Sequence, residues 1–261
     1  MLLNDRTALV YGASGAVGGA VARAFAREGA RVVLAARNPE TLEMVRADIV
    51  NGGGRAIVWP VDATDHAAVE RHLDEVVAEF GPVRIMFNAV GLDDTQGEPL
   101  TQMPRERFLA PIVTAMKTWF LTGTACARHM ARHGGGVILG ISANAAREAY
   151  GQMGGFGVAS GAVEHFLRHL AVENGPQGVR VCCIRSPGSP DAPGVREAFA
   201  LHAREQGISL AEFERRAGAD TPLRRLTPLA DIADVAVLLA SDYARCMTAT
   251  VVNATGGAQV D

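Results

Sequence analysis

Three glycines, Gly12, Gly15 and Gly18, stand between a short apolar run, Thr7 to Tyr11, and a stretch with helical apolar spacing that starts near Gly19. Glycines at such a junction let the backbone turn tightly and approach a pyrophosphate, whose charge the amides at a helix start then hold. The loop residues expected to meet the phosphates are Gly12, Ser14, Gly15, Val17 and Gly18. Arg37 ends the next apolar run, 19 residues beyond Gly18 (37 minus 18), about where an acid would grip the ribose hydroxyl of NAD. A guanidinium there suits a 2'-phosphate instead, so NADP is expected in preference to NAD.

A second group of reactive side chains lies between Ser142 and Gly155, after an apolar run at Val137 to Ser142. It holds Ser142, Asn144, Arg147, Glu148 and Tyr150. Tyr150 offers a phenol, which without a neighbouring cation keeps a pKa of about 10 and is a poor base but still a hydrogen-bond donor. Asp93 and Asp94 read as solvated loop carboxylates. His129 and His133, and His165 and His169, are each four apart, a helical spacing that places two imidazoles on one face. No cysteine or carboxylate cluster completes a ligand set, and no metal is expected. Lysine occurs once in the chain, at Lys117, which reads as an ordinary helix residue.

The elements that must position these groups alternate. Strands are expected at Thr7 to Tyr11, Arg31 to Ala36, Ala56 to Val61, Arg84 to Asn88, Val137 to Ser142, Val179 to Ile184 and Thr248 to Asn253. Between them fall helical patterns, including Gly19 to Glu28, one opened by Asn38-Pro39, His66 to Phe80, Glu106 to Arg132, Gly155 to Asn174 and Pro228 to Leu239. Strands too apolar to have a wet face, separated by helices, form a parallel sheet covered on both sides. Residues 186–222 break the rhythm with Pro187, Pro190, Pro193 and Pro222 and a capping box at Ser209-Leu-Ala-Glu212. This stretch reads as a lid-like insertion in a single domain spanning residues 1–261.

Composition excludes several classes. With 48% hydrophobic residues and a formal charge of -3, neither disorder nor a nucleic-acid footprint is expected. The apolar runs are too short to cross a bilayer, and Met1 to Arg6 leaves no room for a signal peptide. Cys126, Cys182, Cys183 and Cys246 read as reduced thiols of a cytoplasmic protein, with Cys182 and Cys183 on opposite faces of one strand.

The ordered marks along the chain resemble the short-chain dehydrogenases/reductases over essentially its full length. Besides the glycine loop, Asp62-Ala63 follows the third strand, where the family's aspartate meets the adenine amino group. Asn88-Ala89-Val90-Gly91 stands in place of the family's Asn-Asn-Ala-Gly, Pro187-Gly188 in place of the Pro-Gly beside the nicotinamide, and Gly256-Gly257 follows the last strand. The resemblance implies a Rossmann-type doubly wound α/β fold of about seven strands in the order 3-2-1-4-5-6-7. It also implies that Asp62, Ala63, Asn88, Ala89, Gly91, Pro187 and Gly188 join the glycine loop and Arg37 around the dinucleotide.

The family's proton-transfer residues do not accompany its cofactor marks. Aligned on Gly161-Ala162-Val163-Glu164 and Gly178-Val179-Arg180-Val181, the lysine position holds Ser160 and the tyrosine position Phe156. Ala143 takes the serine position and Ala115 the asparagine position. Phenylalanine has no exchangeable proton, alanine no hydrogen bond and serine no charge to depress a phenol's pKa. Tyr11, Tyr150 and Tyr243 are the only tyrosines, and none has a lysine four residues on. Tyr150 and Ser142 are therefore the candidate substitutes.

Two readings follow. One is an NADP(H)-binding oxidoreductase of a small organic substrate with atypical or missing proton transfer. The other is a non-redox protein on the same scaffold, such as a binding or partner subunit, an isomerase or a cyclase. By resemblance the chain pairs into a homodimer or homotetramer through its two long helices, whose Ala159, Gly161 and Ala162 permit close packing.

Overall fold

The structure, a computed structural model, describes residues 1–260. Seven parallel strands form one sheet in the order β3-β2-β1-β4-β5-β6-β7. They are β1 (Thr7–Tyr11), β2 (Arg31–Ala35), β3 (Arg55–Val58), β4 (Val83–Asn88), β5 (Gly136–Ala143), β6 (Val179–Ser186) and β7 (Thr250–Asn253). Eight helices join them: α1 (Ala16–Arg27), α2 (Pro39–Asn51), α3 (His66–Phe80), α4 (Arg105–Arg132), α5 (Phe156–Asn174), α6 (Pro193–Glu205), α7 (Leu210–Ala219) and α8 (Leu229–Ala240).

Helices cover both faces because the central strands are apolar on both. Ala8 and Val10 enter a core shared with α1, α2 and α8, while Leu9 and Tyr11 enter a second core under α3, α4 and α5. The adjacent thiols of Cys182 and Cys183 divide in the same way, one to each core. Local chemistry sets the helix starts: the side chains of Asn38, Asp65 and Ser209 accept from Glu40, Ala68 and Glu212 amides, respectively. On β5, a Cβ at Gly140 would stand 2.7 Å from the Trp119 ring, so the glycine admits α4 close to the sheet.

Two departures from the sequence expectation matter. The third strand ends at Val58, although Trp59 and Val61 still donate to Leu34 and Ala36 carbonyls across Pro60, which has no amide to give. β6 runs on to Ser186, two residues past the expected end, and pairs Arg185 with Ser142 and Ser186 with Ala143. Arg185 thereby belongs to the sheet and its side chain to the face beneath α5. Residues 186–222 contain α6 and α7, with α7 capped at Ser209 as expected. Among the described residues no helix is long and apolar enough to cross a membrane.

Candidate functional site

The glycine loop closes on the exit of β4. Gly12 has φ 73, and a Cβ there would meet the Ala89 carbonyl oxygen at 2.3 Å; a Cβ at Gly18 would meet the Gly12 carbonyl oxygen at 2.2 Å. Only a chain without side chains at both positions packs this way. Ser14 and Gly15 are exposed, and α1 starts after Gly15 with neither a side-chain cap nor an acid in its first turn. The first amides of α1 thus face outward without a competing anion, which suits a phosphate.

Arg37 lies exposed just past β2, and Asp62 lies exposed past β3. Asp62 Oδ1 accepts from the Thr64 amide at 2.9 Å and from the Thr64 hydroxyl at 2.8 Å. These two bonds, and then the nearby charges of Arg37 and Lys117, hold its pKa below the ordinary carboxylate range. Lys117, in sequence an ordinary helix residue, lies within electrostatic reach of Asp62 from α4.

Asn88 is buried at the end of β4. Its Nδ2 donates to Thr122 Oγ1 at 2.9 Å and its Oδ1 accepts from the Val90 amide at 2.9 Å. Thr122, on α4, was not singled out by sequence reasoning; it fixes Asn88, and with it the turn of Ala89, Val90 and Gly91. Past β6, Gly188 adopts φ 88 and donates its amide to Ser186 Oγ at 3.3 Å.

The four residues at the positions expected from sequence to serve proton transfer lie on α4, β5 and α5. Ala115 is fully buried on α4, Ala143 closes β5, Phe156 opens α5, and Ser160 is 4% exposed one turn later. None of these four side chains titrates in the neutral range. The two substitutes are both committed to carboxylates. Ser142 Oγ donates to Glu164 Oε1 at 2.7 Å, and Tyr150, 47% exposed, donates its hydroxyl to Glu148. Partial burial and the Glu148 carboxylate push the Tyr150 phenol up to about 12, further from a useful base than the free phenol expected from sequence.

Beneath α5 lies a group that sequence reasoning missed. Arg185 Nε and Nη2 donate to Glu164 Oε1 and Oε2 at 2.8 and 2.7 Å, completing a buried Ser142–Glu164–Arg185 cluster. The sequence alone gives no signal of this. The histidine pairs have ordinary contacts: His129 Nε2 accepts from the Val83 amide at 3.1 Å, and His165 and His169 approach each other at 3.1 Å on the surface of α5.

A family model described as enoyl-(acyl carrier protein) reductase matches residues 12–259. The chain belongs to the short-chain dehydrogenases/reductases. It is 31% identical to the L-rhamnose 1-dehydrogenase (NAD(P)(+)) of Azotobacter vinelandii across 98% of both chains. It is 28% identical to the 7alpha-hydroxysteroid dehydrogenase of Escherichia coli, across 98% of this chain and 94% of that one. Among solved structures, NAD+-bound xylitol dehydrogenase superposes with a TM-score of 0.92 at 25% identity, covering 98% of this chain and all of the other. Levodione reductase superposes with a TM-score of 0.90 at 25% identity. In this short-chain dehydrogenase/reductase the glycine loop, Arg37, Asp62 and the Asn88 turn gather along the carboxyl edge of one sheet, where open α/β sheets take their ligands. Tyr150 and Ser142 lie near the same edge, but their hydroxyl protons point to Glu148 and Glu164.

Proposed function

We propose that this chain is an NADP(H)-dependent oxidoreductase of small organic substrates that works without the family's tyrosine–lysine proton donor. The closure of Gly12 and Gly18 on backbone carbonyls carries this reading, because it leaves α1's first amides uncovered for a pyrophosphate. Gly12, Ser14, Gly15, Val17 and Gly18 line the phosphates. Arg37 pairs with the 2'-phosphate, and Asp62 and Ala63 meet the adenine. Asn88, Ala89, Gly91, Pro187 and Gly188 shape the nicotinamide end. The bound cofactor supplies hydride exchange at its nicotinamide ring.

What this chain's own residues add is shape and exclusion rather than acid–base work. Segments 92–103, 147–155 and α6 meet over the carboxyl edge: the Gly97 amide donates to the Gln152 carbonyl at 2.8 Å, and Gln96 Oε1 and His202 Nε2 are 3.0 Å apart. Gly154 and Gly155 pack so closely that a Cβ would meet the Thr95 and Phe108 carbonyl oxygens at 2.4 and 2.0 Å. This enclosure, with Phe156 at the tyrosine position, suits an apolar substrate whose reduction needs little protonation by the protein, such as an activated alkene, an imine or a quinone-like ring. Water is then the proton source. The exposed Leu109, Val113, Phe120 and Val158 on α4 and α5 support pairing of two copies through these helices.

A second reading, a non-redox protein on this scaffold, draws on one observation: both substitute hydroxyls already donate to carboxylates. Combining Ala143→Ser, Phe156→Tyr and Ser160→Lys separates the two. A gain of NADPH-dependent carbonyl reduction supports a correctly placed nicotinamide that lacks only proton transfer. A folded variant that binds NADPH but reduces no carbonyl compound overturns that placement.

A further inference from the structure

Two histidine pairs share one spacing, but the fold leaves them in different states. On α4, His129 Nε2 accepts from the Val83 amide at 3.1 Å, and His133 Nδ1 stands 2.8 Å from the His129 carbonyl oxygen. Each of these rings has a nitrogen committed to the backbone, and the two stack with centroids 4.1 Å apart. On α5, His165 and His169 are both exposed, their ring planes are 84° apart, and their Nε2 atoms meet at 3.1 Å. We propose that His165 and His169 bind a divalent transition-metal ion through these two nitrogens, at a site separate from the dinucleotide.

Geometry carries the argument. An imidazole nitrogen lies about 2.0–2.1 Å from a bound first-row metal, which sets two neighbouring ligands about 2.8–3.4 Å apart, from right-angle to tetrahedral coordination. The 3.1 Å separation falls inside that range. Two neutral imidazoles meet at this distance with a proton on one nitrogen and a lone pair on the other. Moving that proton to Nδ1, in the ring's other neutral tautomer, turns both lone pairs toward a common point, and a metal ion takes the place of the shared proton. The surroundings admit a cation. His165 lines the open cleft between α5 and the β7 edge, whereas Phe166 packs against Phe120 of α4, so His165 faces away from α4. The guanidinium of Arg168 is drawn to Glu164, 3.6 Å from Oε2. Among the described residues no group of three or more metal-ligating side chains forms, so water fills the remaining coordination positions and the site is an open one. Two imidazoles with water rank ions by the ordinary order, copper above nickel and zinc.

Calorimetric titration of the full chain with the chlorides of copper(II), nickel(II) and zinc(II) tests this, in a Cys246→Ser background that removes the exposed thiol. Saturable binding is expected, with copper the tightest of the three. His165→Ala and His169→Ala should each weaken copper by about tenfold or more, while His133→Ala leaves it unchanged. His169→Gln, which keeps a hydrogen-bonding side chain at the same exposed position, should lose copper as His169→Ala does. The electron paramagnetic resonance spectrum of the copper-bound chain should show hyperfine splitting from both imidazole nitrogens. Binding that survives replacement of both histidines, a spectrum without their nitrogens, or no saturable binding at about 0.1 mM metal overturns the proposal.

Discussion

Arg185 reaches from the end of β6 to grip Glu164 in the middle of α5 through two N–H···O bonds of 2.8 and 2.7 Å, and both side chains are only 5% exposed. The pair ties the helix that carries Phe156 and Ser160 to the sheet end that carries Ala143. Removing one partner leaves the other charged and buried. Arg185→Ala should therefore destabilise the fold by about 3–5 kcal/mol, whereas replacing both residues with apolar ones of similar volume should cost far less. Urea unfolding of the single and double variants measures the difference; equal losses would contradict a charge-pair origin.

Substitutions at Gly12 and Gly91 should both weaken cofactor binding, but only the first should destabilise the fold. Gly12→Ala combines a left-handed φ with a 2.3 Å clash against the Ala89 carbonyl, so stability and cofactor affinity should fall together, by about 2 kcal/mol or more in stability. A Cβ at Gly91 meets nothing within 4 Å. Gly91→Val should thus leave thermal unfolding nearly unchanged while weakening NADPH, and a change in unfolding without a change in NADPH affinity would count against the assigned nicotinamide contact.

Tyr150 should be silent in catalysis. Burial and Glu148 raise its phenol to about 12 in the folded chain, above the value of about 10 expected on unfolding, so it stays protonated at neutral pH and its contribution to stability is lost only as pH rises past 10. Tyr150→Phe should leave any turnover, and its pH profile from about 6 to 9, unchanged. A loss of about a hundredfold or more would restore Tyr150 as the proton donor.

His129 predicts the acid limb of stability. Burial first, then the charges of His133 and Arg84, lower it to about 4, and its neutral Nε2 accepts from the Val83 amide. The unfolded state takes up its proton near pH 6.5, so this group's contribution is present above that value and is lost as pH falls towards 4. The loss should be on the order of 2 kcal/mol, and His129→Gln should flatten that part of the pH–stability curve in denaturant titrations.

Much of the fold was legible because buried parallel strands are short apolar runs and because Asn38, Ser209 and the glycine loop mark where helices begin. The sheet order followed from resemblance and appears in the structure. Contacts between residues far apart in sequence were not legible. Arg185 sits one residue past a cysteine–isoleucine run, where an arginine signals a strand's end, and only its pairing with Ser142 and Glu164 explains its burial. Thr122 resembles any helix threonine until Asn88 is found against it, and Lys117 looked unremarkable until α4 carried it toward Asp62. Tyr150 was visible as a phenol, but its commitment to Glu148 was not.

On the proposed reading, this chain binds a nicotinamide dinucleotide and selects its 2'-phosphate through Arg37. Fluorescence titration of the purified chain with NADPH and NADH tests it most directly. NADPH should bind more tightly than NADH by about tenfold to a hundredfold, and Arg37→Asp should abolish or reverse that preference. No binding of either at about 1 mM would contradict the account, and equal affinity unaffected by Arg37→Asp would contradict the role of Arg37.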